Sequence, residues 1–147
     1  MIKYLLDTNV IINLWNNNEK FLERLLKEDK IVILNEVLNE LSIKETKMYR
    51  RKEVLSARFC RLLPYSIEVL KENISGFYMI FDCEGKGKFE KNNLSEIDML
   101  QLYSCYIDDS LKLVTEDKVL YNIGKCILGE ERVISIENLF NIYLYKQ

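Results

Sequence analysis

The chain alternates between short apolar runs and longer segments in which apolar residues recur at helical spacing. Short apolar runs bounded by polar residues predict β-strands, and apolar positions three and four residues apart predict amphipathic helices. The strands are predicted over residues 2–6, 31–34, 62–65, 111–115 and 132–136. The helices are predicted over residues 19–28, 36–45, 48–62, 67–80, 95–107, 117–127 and 137–145.

The order of these elements predicts a parallel sheet, because helical crossovers join parallel strands. We expect an α/β protein of three α/β/α layers with a central parallel sheet of about five strands, in a single domain over residues 1–147. Residues 2–6 are apolar on both faces, so the first strand is predicted in the sheet interior. Residues 82–93 carry two glycines and mixed charge, which predicts a mobile loop.

The chain contains no histidine. This absence excludes Ser-His-Asp and Cys-His nucleophilic catalysis as well as histidine-ligated zinc. Chemistry based on carboxylates, lysine, hydroxyls or thiols remains. The cysteines form no CxxC pair, so they indicate neither a zinc knuckle nor a dithiol redox site. We interpret them as small core residues: Cys60, Cys83, Cys105 and Cys126.

The hydropathy pattern also bears on location and charge. No apolar run approaches the roughly 20 residues of a transmembrane helix, and no signal-peptide pattern is present, so we expect a cytoplasmic protein without a membrane partner. The net charge of -2 provides no overall attraction for nucleic acid. Residues 44–61 are nevertheless locally basic, and Lys47, Arg50 and Arg51 are the candidate RNA-binding residues there, the alternative being a solvated helix face.

Four acidic residues fall near the carboxyl ends of the predicted strands, where open α/β sheets bind ligands. Asp7 follows the first strand, and Asp117 comes just after the fourth. Glu40 lies in the first turns of the helix after the second strand, and Asp98 lies at the start of a later helix. The neighbouring acids that compete with them for a place in the site are Glu36, Glu96 and Glu116.

Carboxylates that converge in one crevice repel one another by roughly 4 kcal/mol per pair at 4 Å and an effective dielectric near 20. A cation or bound protons must therefore accompany them. Oxygen ligands with open coordination positions suit Mg²⁺ or Mn²⁺, which also bind substrate phosphates. Such a site polarises a phosphodiester and makes hydroxide available near neutral pH without histidine.

Each acid also has a purely structural interpretation. Ser95 and Asp98 have the spacing of a capping box, and Asp117 can cap the helix that follows it. Glu40 fits a solvated helix position. Asp7 is the hardest to explain in this way, because caps seldom follow so apolar a strand.

The ordered acidic segments LLDTNVII, LNEVLNEL, LSEID and LVTED cover nearly the full chain. In this order they resemble the PIN-domain ribonucleases, including VapC-type toxins of toxin-antitoxin pairs. The resemblance implies a PIN-like fold, RNA cleavage with Mg²⁺ or Mn²⁺, a homodimer and an antitoxin partner, which the basic segment would then face. It also implies that Asn9 and Thr115 orient the carboxylates.

In the leading hypothesis Asp7, Asp98 and Asp117 bind the metal directly, and Glu40 binds it through water or positions the nucleophile. An aspartyl phosphatase is disfavoured, because its second acid would fall at Asn9. The family usually has small residues after the third acid, where this chain has bulkier ones over residues 99–103. A catalytically inactive PIN-like module that binds RNA or protein is therefore the alternative.

Overall fold

In the computed structural model, a five-stranded parallel sheet carries helices and a separate two-stranded hairpin. The structure describes the backbone of residues 1–49, 52–85 and 94–145 and the side chains of residues 1–46, 56–81 and 94–144. The strands are β1 Lys3–Leu6, β2 Ile31–Leu34, β3 Thr46–Tyr49, β4 Lys52–Leu55, β5 Ser66–Ile67, β6 Leu111–Val114 and β7 Val133–Ile134. The helices are α1 Thr8–Asn17, α2 Glu19–Lys27, α3 Asn35–Glu45, α4 Ala57–Cys60, α5 Ile74–Gly85, α6 Glu96–Ile107, α7 Lys118–Leu128 and α8 Ile136–Tyr145.

The strand order of the sheet is β5-β2-β1-β6-β7, and every adjacent pair is parallel. The predicted parallel sheet and the interior position of the first strand are both confirmed. Leu5 and Leu6 are fully buried, because β1 is covered on both faces. Leu6 pairs with Val114, so the ends of β1 and β6 lie side by side. The residues that follow them, Asp7 and Thr115, therefore leave the sheet at the same edge.

Helix α1 starts directly after Asp7 and was not among the predicted helices. Its buried side chains, Val10, Ile11, Leu14 and Trp15, have the spacing of one helix face. They continue the apolar run of β1 with only Asp7, Thr8 and Asn9 between, which explains why the sequence pattern did not separate the helix from the strand. The chain thus turns from strand to helix at Asp7.

The helix predicted over residues 48–62 is wrong. Strands β3 and β4 pair antiparallel, with Thr46 opposite Leu55, and only α4 follows as a short helix. At the base of the hairpin, Glu45 accepts hydrogen bonds from Ser56 Oγ at 2.8 Å and from Arg58 Nε at 2.6 Å. These tertiary contacts favour the hairpin over local helical spacing. The side chains of the candidate RNA-binding residues lie outside the described part: Lys47, Arg50 and Arg51.

Three other predicted boundaries are corrected. Residues Leu63–Tyr65 form a 3₁₀ helix, and the strand β5 follows it, because Pro64 has no N–H to donate to a strand ladder. The helix predicted over residues 67–80 begins at Ile74 and continues to Gly85. The first part of the predicted loop over residues 82–93 is therefore helical, and residues 86–93 lie outside the described residues.

The prediction that the cysteines are core residues holds for Cys105, which is buried. It is wrong for Cys60 and Cys126, which are exposed. The side chain of Cys83 lies outside the described part. Burial raises the pKa of the Cys105 thiol to about 12, so this residue is an inert packing group.

Helix α7 lies unusually close to β7 and α6 at Gly124. A Cβ atom at this position would lie 2.9 Å from Val133 Cγ2 and 3.2 Å from Leu102 Cδ2. The missing side chain therefore allows α7, whose N-cap is Asp117, to pack against its neighbours. Within the described ranges, no helix has the length and apolar character needed to cross a membrane.

Candidate functional site

Asp7 is a buried carboxylate held by three neutral hydrogen-bond donors. It is 6% exposed and lies at the N-cap of α1. The Thr8 amide donates to Oδ1 at 2.8 Å, and Gln101 Nε2 donates to the same oxygen at 3.1 Å. Thr115 Oγ1 donates to Oδ2 at 2.9 Å. Among the described residues no lysine or arginine forms an ion pair with Asp7, so its position is fixed without a neutralising charge.

Thr115 connects Asp7 to Asp117. The Asp117 amide donates to Thr115 Oγ1 at 3.1 Å, and the same hydroxyl donates to Asp7. The side chain of Asp117 caps α7, because its Oδ1 accepts from Val119 N at 2.9 Å and from Leu120 N at 3.2 Å. The capping interpretation of Asp117 is thus correct as geometry. It leaves Oδ2 without a donor in the described part of the chain.

Asp98 forms the predicted capping box at the start of α6. Its Oδ2 accepts from Ser95 N at 3.1 Å, and its own amide donates to Ser95 Oγ at 3.1 Å. Burial raises the pKa of Asp98, and the negative charges of Asp7 and Asp117 raise it further, against the hydrogen bonds with Ser95. The three aspartates therefore share one electrostatic environment, to which α1, α6 and α7 all contribute.

These three aspartates sit at helix N-termini, which carry partial positive charge. That charge offsets part of the repulsion between the carboxylates. The same exposed N–H groups favour phosphate groups, which commonly bind at helix N-termini. The sheet edge thus combines negative side chains with an electropositive backbone.

Glu40 is half-buried on α3 and lies in an adjoining cleft. The cleft has a volume of about 410 Å³ and is lined by Glu36, Glu40 and Glu96 among others. Glu36 Oε1 lies 3.4 Å from Lys71 Nζ, so part of the acidic charge is already paired. The structure therefore links the three aspartates to one another, and it places Glu40 beside the first turn of α6, the turn that also contains Asp98.

The remaining candidates take different positions. Glu116 Oε1 accepts from the backbone N–H of Ile136 at 3.0 Å, so this carboxylate interacts with the start of α8. Glu96 is exposed at the cleft that contains Glu40. Asn9 is exposed on the first turn of α1.

Gln101 is the residue of this site that the sequence analysis did not single out. It is fully buried on α6 and contacts Asp7 across 94 residues of sequence. The available signal was a polar side chain in an apolar run, three residues after Asp98. That spacing places the two side chains on one helix face.

The donor set fits a hard divalent cation. Aspartate oxygens are the ligands that Mg²⁺ and Mn²⁺ prefer. In the described part, no three acidic or thiol side chains are grouped closely enough to hold an ion by themselves. Mg²⁺ usually keeps several waters and is bound by one or two carboxylates together with substrate phosphates, so the aspartates need not supply every ligand.

Comparisons with known proteins agree with this fold. The sequence profile of the PIN domain matches residues 4–125. The crystal structure of PAE2754 from Pyrobaculum aerophilum is similar, with a TM-score of 0.58 and 20% sequence identity over 99% of this chain and 98% of that chain. At this identity the likeness shows the fold alone. Among curated proteins, none matches the chain.

Proposed function

We propose, from the premise that this chain belongs to the PIN domain family, whose members are typically nucleases, that it is a divalent-metal-dependent endoribonuclease. It hydrolyses RNA phosphodiester bonds. The observation that carries this proposal is the linked set of Asp7, Asp98 and Asp117. Asp7 is buried among neutral donors, Thr115 joins it to Asp117, and the charges of both act on Asp98.

Each residue has a defined part in the proposed reaction. Asp7, Asp98 and Asp117 would hold Mg²⁺ or Mn²⁺ together with water and phosphate oxygens, and the bound ion would supply Lewis-acid chemistry to the phosphodiester. Thr115 orients Asp7, and Glu40 accepts a hydrogen bond from the attacking water. The water oxygen bonds to phosphorus as one P–O ester bond breaks, and the leaving oxygen takes up a proton. Asn9 is exposed beside Asp7 and is the proposed polar contact to substrate.

RNA binding requires positive charge, which the three aspartates do not provide. We propose that Lys47, Arg50 and Arg51 contact RNA phosphates and so raise affinity without selecting a sequence. This proposal rests on the basic character of residues 44–61.

The test compares RNA cleavage by the wild type and by Asp7→Asn, with Mg²⁺ or Mn²⁺ and with EDTA. We expect metal-dependent cleavage by the wild type and a loss of at least about a hundredfold in the variant, since metal catalysis is worth several kcal/mol. Asp29→Asn is the matched control, because Asp29 is exposed and pairs with Lys3. Equal cleavage by wild type and Asp7→Asn would refute the mechanism.

A toxin role in a toxin-antitoxin pair is a finer proposal, supported by the sequence resemblance. It places the protein in the cytoplasm with an antitoxin as partner. We expect expression of the chain to arrest growth of a bacterial host and Asp7→Asn to relieve the arrest. Normal growth at high levels of active enzyme would remove the toxin role and leave the nuclease intact.

We also propose a homodimer. Met79 and Ile80 on α5 are 66% and 47% exposed, and Tyr106 and Ile107 on α6 are 43% and 53% exposed. The rings of Phe77 and Tyr106 lie 5.2 Å apart, so the two helices are in contact near these side chains. Exposed apolar residues on packed helices support a protein interface.

The mass of the protein in solution tests this proposal. We expect a dimer for the wild type and a monomer for Ile80→Glu. Leu144→Glu is the control, because Leu144 is 69% exposed on α8. A monomeric wild type would refute the homodimer.

A further inference from the structure

Gln101 is an energetically unfavourable residue for its buried position on α6. The residue is fully buried between Leu100 and Leu102, which are also buried. A buried amide costs free energy unless its polar atoms are hydrogen-bonded. Nε2 has Asp7 as its partner, but Oε1 is buried without one in the described part of the chain. An apolar side chain would fill this space at lower cost, so packing alone does not explain the glutamine.

The hydrogen bonds around Asp7 show what the amide achieves. A carboxylate offers about four lone-pair positions on its two oxygens. The two positions on Oδ1 accept from Thr8 N and Gln101 Nε2, and one position on Oδ2 accepts from Thr115 Oγ1. Roughly one position therefore remains, and it lies on Oδ2. The plane of the carboxylate is fixed, and one oxygen keeps capacity for a further ligand.

The charge of the donor is equally important. Lysine or arginine at residue 101 would also donate a hydrogen bond, but it would neutralise Asp7. The glutamine amide orients Asp7 and leaves its full negative charge beside Asp98 and Asp117, whose shared field attracts a cation. Gln101 lies one helical turn after Asp98, so its hydrogen bond to Asp7 also connects α6 to the end of β1.

We propose that Gln101 is a positioning residue, which fixes the Asp7 carboxylate in the orientation that binds the divalent cation. This inference rests on the proposed nuclease function. Partners that orient metal ligands typically contribute roughly 10- to 100-fold to metal affinity. Gln101 acts on the metal through Asp7 and does not contact it.

Gln101→Met tests the proposal, because methionine has nearly the same shape without the amide. The concentration of Mn²⁺ that gives half of the maximal rise in melting temperature should increase at least about tenfold. The melting temperature without metal should stay close to the wild-type value. The matched control is Ser104→Ala, which removes a buried hydroxyl that donates to Leu100 O on the same helix. This control should leave the Mn²⁺ dependence unchanged.

A second measurement follows Gln101 in the wild-type protein and needs a variant only for signal assignment. The chain has two glutamines, Gln101 and Gln147, so protein labelled with nitrogen-15 at glutamine side chains gives two pairs of amide signals. Loss of one pair in Gln101→Met assigns them, and if that variant does not fold, Gln101→Asn takes its place. The Gln101 signals should shift on titration with Mg²⁺, with the same midpoint as the rise in melting temperature measured with Mg²⁺.

Two outcomes separate this inference from the proposed function. If metal stabilises the wild type but Gln101→Met has the same Mn²⁺ dependence, or the Gln101 signals do not move, the positioning role is overturned and the nuclease proposal stands. If the wild type neither responds to metal nor cleaves RNA, the proposed function itself is overturned.

Discussion

Asp7 and Glu45 are both buried carboxylates, 6% and 9% exposed, but their partners differ in charge. Glu45 accepts two hydrogen bonds from the guanidinium of Arg58 and is neutralised by it. Asp7 accepts hydrogen bonds from an amide N–H, a side-chain amide and a hydroxyl, all of which are neutral. The charge of the donors thus separates a carboxylate that joins structural elements through an ion pair from one that neutral groups hold.

The surroundings strengthen this contrast. The Arg58 guanidinium lies 4.4 Å from the centroid of the Trp15 ring. The ion pair between Glu45 and Arg58 is therefore part of the packing at the base of the hairpin. Asp7 instead has other acids as its charged neighbours. Besides burial, the negative charges of Asp7 and Asp117 both raise the pKa of Asp98. If this comparison is correct, substitutions at the two sites will have opposite effects on activity and on stability.

The largest expected effect is on catalysis by Asp98→Asn. Metal-dependent cleavage should fall at least about a hundredfold, and metal should raise the melting temperature of the wild type far more than that of the variant. Stability without metal should be equal or higher, because asparagine still accepts from Ser95 N and removes a repelling charge. The control is Asp109→Asn, since the Asp109 side chain is 99% exposed. Full cleavage by Asp98→Asn would show that Asp98 serves only as a helix cap.

The next largest effect is on RNA affinity, which we expect to depend on the basic residues that follow Glu45 in the sequence. Replacing Lys47, Arg50 and Arg51 together by alanine should weaken RNA binding and lower its salt dependence by a slope of up to about 2, at roughly 0.7 per phosphate contact. Binding titrations at several salt concentrations measure this slope.

A second triple variant controls for total charge. Lys20, Lys27 and Lys30 lie on α2 or just before β2, away from the hairpin in sequence. Their replacement by alanine removes the same charge and should leave most of the slope in place. Equal slopes for the wild type and the hairpin variant would assign the basic segment to solvent or to a protein partner.

Glu45→Gln should show the reverse behaviour of the aspartate variants. We expect the free energy of unfolding to fall by about 1–2 kcal/mol, since charged hydrogen bonds are lost but the Arg58 side chain is 41% exposed. Cleavage by the folded protein should be unchanged. Urea unfolding and cleavage assays on the same sample measure both quantities. A stable Glu45→Gln protein without cleavage activity would contradict the distinction drawn here.

The smallest effect is on pH dependence without metal. The pKa of Asp98 is raised above its ordinary value of 3.8 in the folded state. Its contribution to stability is therefore complete below that value and is lost as the pH rises through the raised pKa. In EDTA, the melting temperature of Asp98→Asn should rise relative to that of the wild type as the pH increases from the ordinary pKa to the raised pKa of Asp98. A difference that does not change with pH would contradict the raised pKa.

Much of the fold could be predicted because the relevant signals are local. The strands β1, β2 and β6 are largely apolar runs, and Asp7 and Thr115 directly follow two of them, with Asp117 two residues after Thr115. Helix α1 could not be separated from β1, since only Asp7, Thr8 and Asn9 interrupt the apolar positions. The hairpin depends on Glu45 meeting Ser56 and Arg58, contacts that helical spacing does not reveal.

The same distinction applies to the site. Asp7 and Asp98 were predicted because acids at strand and helix ends have a recognisable local pattern. Gln101 was not, because its importance comes from a contact with a residue 94 positions away. A polar residue three positions after Asp98 is a local signal, but it does not reveal which side chain that residue contacts.

The long sequence separations around Asp7 also have a consequence for biosynthesis. Thr115 reaches Asp7 across 108 residues, and β1 acquires its neighbour β6 only when residues 111–114 have been made. Contacts of such separation form late in folding. While β6 has not yet emerged from the ribosome, Asp7 has neither Thr115 nor Asp117 beside it. The proposed nuclease site would therefore assemble only after the residues up to Asp117 have left the ribosome.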